Sequence, residues 1–264
     1  MRFDNFFKTV APVIAMAVAG GMAGCEDEEG RHFRFNGKEG MPLDELDLSG
    51  DAPDTVNLAG PDIVRITEGK EFSIALEGSD EAKERMRFLL DDGTLSIMRE
   101  GRNWKENWND SDDRATVSIT MPAPEKLVLA GSGEIHSDTL SAKAAIVIAG
   151  SGKVATPSVE VERLDVNIAG SGRYKADGST AKLDLNVAGS GNARLDNLNA
   201  ERVRVKIAGS GNATFSSDGK VDARIMGSGN VTVRGNPKCT LKSFGSGTLN
   251  CEPGGTTVEQ EEDE

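Results

Sequence analysis

Between Leu164 and Ile168 the chain reads Leu-Asp-Val-Asn-Ile, apolar and polar residues in strict alternation. Period two marks a strand that buries one face. The same arrangement returns throughout the second half of the chain. Apolar residues stand at 127, 146, 166, 185, 205, 223 and 241, and again two positions later at 129, 148, 168, 187, 207 and 225, with Ser243 in the last copy. A Gly-Ser-Gly triplet follows each time, starting at Gly131, Gly150, Gly170, Gly189, Gly209, Gly227 and Gly245. The intervals are 19, 20, 19, 20, 18 and 18 residues. Four residues after the first glycine a second inward series begins: Ile135, Val154, Tyr174, Ala193, Ala213, Val231 and Leu249.

Each repeat therefore reads as strand, glycine corner, strand and return loop, too short for a standard helix. One such unit cannot bury its own inner face, whereas a stack of them can. Equivalent strands then pair in parallel about 4.8 Å apart. The pattern predicts an all-β fold, a parallel β-helix of about seven coils over 127–251, right-handed by the crossover preference. The corner glycines supply backbone angles that other residues resist and let successive corners stack.

Residues 43–126 predict a β-rich capping segment. Ile63–Ile66 and Phe72–Leu76 flank Glu68-Gly69-Lys70, a hairpin signal, and Asp92-Gly93 between Phe88–Leu90 and Leu95–Ile97 is a stronger one. Ser79 is placed to cap a short helix from Asp80 to about Met86. This segment is expected to close an end of the helix that would otherwise expose strand edges.

The first 24 residues read as a signal peptide: Arg2 and Lys8 precede an uncharged run from Val10 to Ala23, too short to span a membrane. Met22-Ala23-Gly24-Cys25 resembles the lipobox of bacterial lipoproteins, which implies diacylation (palmitate-type chains) on Cys25. The alternative is a plain secretory signal with a chance cysteine. Residues 25–42 read as a polar tether and 252–264 as an acidic, solvated tail. The fourteen residues after Asn250 are too few for two membrane-spanning strands.

The lipobox, the β-rich lead-in with Gly60-Pro61-Asp62-Ile63-Val64-Arg65-Ile66 and Asp91-Asp92-Gly93-Thr94-Leu95-Ser96-Ile97, and the Gly-Ser-Gly coils together resemble the head GIN domain family of auto-transporter adhesins, in a lipoprotein form. The resemblance covers about Leu46 to Leu249. It implies a β-helix, an adhesive role and a place in the cell envelope, facing the periplasm or on the outer-membrane surface.

Composition narrows the chemistry. Thirty Lys and Arg against 43 Asp and Glu give a net charge of −13, which argues against nucleic acid as a partner. Two histidines leave no basis for a multi-histidine metal site, and no cofactor motif is present. Asp165 and Asp184 are equivalent in adjacent coils, so stacking would set them about 5 Å apart, a carboxylate pair at glycosidase-like spacing; two solvated surface aspartates are the alternative. Asp110-Ser111-Asp112-Asp113 is an acidic loop that reads as solvated, or as a weak cation site. Cys239 and Cys251 both take inward positions in the final coil, which in an exported protein suggests a disulfide; two buried thiols are the alternative. Trp104 and Trp108, the only tryptophans, either stack on a ligand or pack over the first coils, whose outward Val128, Ala145 and Val147 call for a cover.

Three residues before each triplet one outward column runs Val128, Val147, Asn167, Asn186, Lys206, Arg224 and Lys242. Its basic end is a candidate contact for an anionic glycan or lipid head group, unless neighbours such as Asp222 neutralise it. The sequence thus predicts a non-enzymatic envelope lipoprotein, anchored in the membrane by lipid, that presents a β-helix to an envelope glycan or another surface protein. A self-assembling structural module and a polysaccharide-processing enzyme are the alternatives.

Overall fold

A computed structural model describes residues 34–35, 38–100, 114–253 and 256–258. Cys25, Trp104, Trp108, the acidic run 110–113 and the tail 259–264 lie outside the described residues. In chain order, β1 (Arg34–Phe35) and β2 (Lys38–Glu39) pair antiparallel, and a 3-10 turn spans Leu43–Glu45. There follow β3 (Thr55–Ala59), β4 (Ile63–Glu68), β5 (Ser73–Glu77), the helix α1 (Asp80–Glu84), β6 (Met86–Asp91), β7 (Thr94–Arg99) and β8 (Thr116–Met121). The repeat begins with β9 (Lys126–Gly131), β10 (Glu134–Ser137), β11 (Lys143–Gly150), β12 (Lys153–Gly170), β13 (Arg173–Gly189) and β14 (Asn192–Gly209). It ends with β15 (Asn212–Ser216), β16 (Lys220–Gly227), β17 (Asn230–Gly235), β18 (Lys238–Phe244), β19 (Thr248–Pro253) and β20 (Thr256–Val258).

The repeat folds as a β-helix with the register that the triplets dictate. Leu127, Ile146, Val166, Leu185, Val205, Ala223 and Leu241 are consecutive parallel partners along one side. Ile135, Val154, Tyr174, Ala193, Ala213, Val231 and Leu249 line a second side in the same way. All fourteen are buried. Alternation puts every inward residue of one coil directly over its counterpart in the next, so each apolar column becomes one line of the core.

The return segment of the middle coils is a third strand rather than a loop. Val159, Gly178 and Leu198 are register partners, as are Val161, Thr180 and Ala200. The pairing shifts between Thr156 and Val159 and between Lys175 and Asp177, where the chain turns this corner. The first Gly-Ser-Gly coil has no such strand between Ser137 and Lys143, and in the later coils β15 stops at Ser216, which still pairs with Asn199.

Each glycine of the triplet has its own reason. Gly170 sits at φ +108°, and a Cβ there would lie 2.6 Å from the Gly150 carbonyl oxygen of the coil before. Gly172 has ordinary backbone angles, but a Cβ would stand 2.4 Å from Ile148 Cγ2. The first glycine makes the turn; the third makes room for the core.

The lead-in supplies two more coils, out of chain order. β3 pairs in parallel with both β7 and β9, and β4 with both β8 and β10. The coil 55–68 is therefore sandwiched between the later coil 94–121 and the first Gly-Ser-Gly coil. Gly60 takes the role of the triplet's first glycine, at φ +145° and accepting from the Gly133 amide at 2.9 Å. β5 and β6 close this end antiparallel, on β8 and β7 respectively. The β6–β7 hairpin forms with Asp92 and Gly93 both at positive φ, as its Asp-Gly signal requires. The expected pairing across Glu68-Gly69-Lys70 does not form: both edges of β4 belong to the parallel stack, so β5 folds back onto β8 instead. Ser79 caps α1, its hydroxyl accepting from the Ala82 amide at 3.0 Å.

Candidate functional site

The outward side chains of the β9–β11–β12–β13–β14–β16–β18 side fall into four columns. The column three residues before the triplet is continuous: Val128, Val147, Asn167, Asn186, Lys206, Arg224 and Lys242 are successive register partners. At its apolar end Val147 is 3% exposed and Val128 half-buried. Its amide middle is joined by a hydrogen bond from Asn186 Nδ2 to Asn167 Oδ1 at 3.1 Å. Asp222, expected to answer Arg224, instead pairs with Lys220 at 3.3 Å.

A second cationic column lies four residues earlier on the same strands. Lys143, Arg163, Lys182, Arg202, Lys220 and Lys238 are register partners over six successive coils. It follows from the same repeat alignment, since every one of these residues stands seven positions before a triplet. Between the two columns stand Asp165, Asp184, Arg204 and Asp222.

These charges divide the face into two parts. Over β12 and β13, cations and acids interlock: Arg163 bonds Asp165 at 2.7 Å and Asp184 at 3.0 Å, and Asp184 also receives Lys182 at 3.0 Å and Arg204 at 3.3 Å. The hydrogen bond to Asp165 raises the pKa of Arg163 further above its ordinary value. Asp165 and Asp184 thus serve as the negative half of an ion-pair ladder that relieves repulsion along the cationic column. Over 202–208, 220–226 and 238–244, the stretches of β14, β16 and β18 on this side, the balance is lost: Arg202, Arg204, Lys206, Lys220, Arg224, Lys238 and Lys242 stand there with Asp222 the single acid among these residues. Arg202, Lys206, Arg224 and Lys238 make no ion pair among the described residues.

One residue before each triplet is a fourth column. It holds Ala130, Ala149, Ala169, Ala188 and Ala208, then Met226 and Phe244, which are 39% and 48% exposed. These two bulky apolar side chains occupy the same coils in which cations go unanswered.

Elsewhere the columns read as structure. The residues after the last four triplets form a hydrogen-bonded ladder: Asn212 donates to Asn192 at 3.1 Å, Asn230 to Asn212 at 3.2 Å and the Thr248 hydroxyl to Asn230 at 2.7 Å. In the final coil Cys239 and Cys251, 12 positions apart in sequence, are joined by a disulfide across a Cα–Cα distance of 6.7 Å. Among the described residues no group of three His, Cys, Asp or Glu side chains is placed to hold a metal ion. No helix among the described residues is long and apolar enough to cross a membrane.

The architecture is shared with solved structures. A "putative adhesin" from Bacteroides fragilis superposes with a TM-score of 0.68 at 22% identity, covering 76% of this chain and 93% of that one. A "putative lipid binding protein" from Parabacteroides distasonis gives 0.60 at 20% identity, over 76% and 93% of the two chains. A "putative adhesin" from Parabacteroides merdae gives 0.55 at 15% identity, over 76% and 92%. No curated protein matches the chain. The family described as "Putative auto-transporter adhesin, head GIN domain" matches residues 52–237, from the first lead-in coil to the residue before β18, where the last Gly-Ser-Gly coil begins. The chain belongs to that head GIN domain family.

Proposed function

We propose that the protein is a non-enzymatic lipoprotein of the cell envelope, anchored through Cys25, that displays its β-helix as an adhesive, ligand-binding surface. The observation that carries this reading is the charge asymmetry of one sheet face: seven Lys and Arg against one Asp over three coils, in a chain of net charge −13. Cations stacked about 4.8 Å apart repel unless something answers them, so retaining them costs stability and is explained by an anionic ligand. Lys206, Arg224 and Lys242 form the contact, and an anionic envelope glycan or lipid head group is the ligand. Two things favour display over catalysis: the carboxylate pair that a glycosidase would use is committed to the cations around it, and the family's description is that of an adhesin.

The test is the triple variant K206E/R224E/K242E, built on an outward face where the fold tolerates polar exchange. Binding to whole cells and to anionic envelope polymers at low salt is expected to be lost while the melting temperature is kept. Retained binding at low salt would reduce the face to solvated surface. In parallel, Cys25→Ser is expected to move the protein out of the membrane fraction.

A further inference from the structure

We infer that the outward face of the last three coils docks on an anionic lipid bilayer, with Met226 and Phe244 entering the head-group layer while the surrounding cations meet lipid phosphates. This rests on the proposal that the basic face is the ligand-binding surface, and it names the ligand. The apolar pair carries it. In five coils the column beside the triplet holds alanine, the residue that leaves the strand flush; only in the coils of β16 and β18 does it hold a large apolar side chain. Met226 and Phe244 are neighbours on adjacent strands and both protrude. Each lies two residues along its strand from a cation, Arg224 or Lys242, and therefore on the same face.

A hydrated polyanion would answer Arg202, Lys206, Arg224 and Lys238 but would leave Met226 and Phe244 in water. A bilayer interface answers both. Membrane association by modest signals needs two at once, buried apolar surface and attraction to anionic lipid, and this face supplies both side by side. Its shape fits as well: seven residues along the strand by three coils gives a patch of roughly 20 by 10 Å, on a sheet rather than in a cleft, matched to a planar partner.

The full chain carrying Cys25→Ser, so that no acyl chain contributes, is mixed at low salt with sedimentable vesicles of phosphatidylcholine alone or of equal parts phosphatidylcholine and phosphatidylglycerol. Binding is expected to the anionic vesicles and not to the zwitterionic ones. R202E/K206E/R224E should abolish it. M226A/F244A, which restores the alanine found in the other five coils, should weaken it by about tenfold or more with the melting temperature unchanged. Full vesicle binding by M226A/F244A, or displacement by soluble polygalacturonate at matched charge, would overturn the bilayer and leave a basic face that holds polyanions by charge alone. Equal binding to both vesicle types would overturn the role of the cations. Failure to bind vesicles and polygalacturonate alike would sink the basic-face reading along with this one.

Discussion

Tyr174, the only tyrosine in the chain, holds its hydroxyl 2.7 Å from the Thr156 hydroxyl of the preceding coil, and both side chains are fully buried. The two residues stand on the second side of the helix, Tyr174 in an apolar column and Thr156 two residues beyond Val154. Burial pushes the Tyr174 phenol far up, so it stays protonated and must find a partner inside the core. Thr156 supplies it. Thr156→Val, nearly isosteric, is expected to cost about 1–3 kcal/mol because it strands the phenol. Tyr174→Phe strands the threonine in turn. The double variant T156V/Y174F removes both polar groups, so its loss in urea-unfolding free energy should fall well below the sum of the singles; strict additivity would mean that the two hydroxyls are not partners.

Gly170→Ala is expected to destabilise the protein by more than the roughly 1 kcal/mol cost of an ordinary strained residue. It combines a disfavoured φ with a Cβ driven into the Gly150 carbonyl, which belongs to a paired coil and has nowhere to move. Gly50→Ala is the control, since nothing lies within 4 Å of a Cβ there. Thermal unfolding of the two variants should separate them clearly; equal melting temperatures would show that the corner tolerates a side chain.

The coils were legible because a stacked repeat turns sequence spacing into spatial register. Once the triplets are superposed, residues 18–20 apart become neighbours, and the core columns and the Lys206–Arg224–Lys242 stripe follow. The same superposition contains the longer cationic column from Lys143 to Lys238, which becomes conspicuous when side chains are seen on a common face. The lead-in does not yield in this way. Nothing local to Thr55–Glu68 shows that its neighbours in space are Thr94–Met121 and Lys126–Ser137, because that order is fixed by long-range pairing. A local turn signal at Gly69 therefore gives way to the larger gain of keeping β4 inside the parallel stack.

The out-of-order coil is locked by one buried ion pair. Asp62, fully buried at the Gly60-Pro61-Asp62 corner, accepts from Arg99 Nε at 3.1 Å and from the Ala115 amide at 2.9 Å. It thereby ties β4 to the end of β7 and the start of β8. Asp62→Ala removes the carboxylate shared by Arg99 and the Ala115 amide and is expected to cost about 1–3 kcal/mol. Chemical denaturation measures the loss, and hydrogen exchange should place it in the lead-in coils. A change below about 1 kcal/mol would show that water replaces the aspartate at little cost.

The Cys239–Cys251 disulfide joins residues 12 positions apart at the end of the stack. Its removal is expected to lower stability by about 2–3 kcal/mol, chiefly by freeing the unfolded chain. Non-reducing peptide mapping of protein prepared without reductant should recover the two cysteines in one linked species. Finding both as free thiols would eliminate the bond, and the C239S/C251S variant would then melt as the parent does.

Glu134 gives the fold a pH dependence on the second side of the helix, away from the basic columns. Its carboxylate meets Lys153 Nζ at 2.8 Å, with Arg114 at 3.4 Å and His136 at 3.5 Å. The Lys153 hydrogen bond, above all, holds its pKa below the 4.5 of an unperturbed glutamate. The folded chain thus keeps this carboxylate ionised at pH values where the unfolded chain has already bound a proton. The stabilisation is present above pH 4.5 and is lost as pH falls through the depressed folded value. Glu134→Gln should lower the melting temperature near neutral pH and match the parent once the pH lies below both values. Because Lys153 is half exposed, added salt should shrink the neutral-pH difference. A deficit in the variant that stayed constant across this range would assign the role of Glu134 to packing rather than charge.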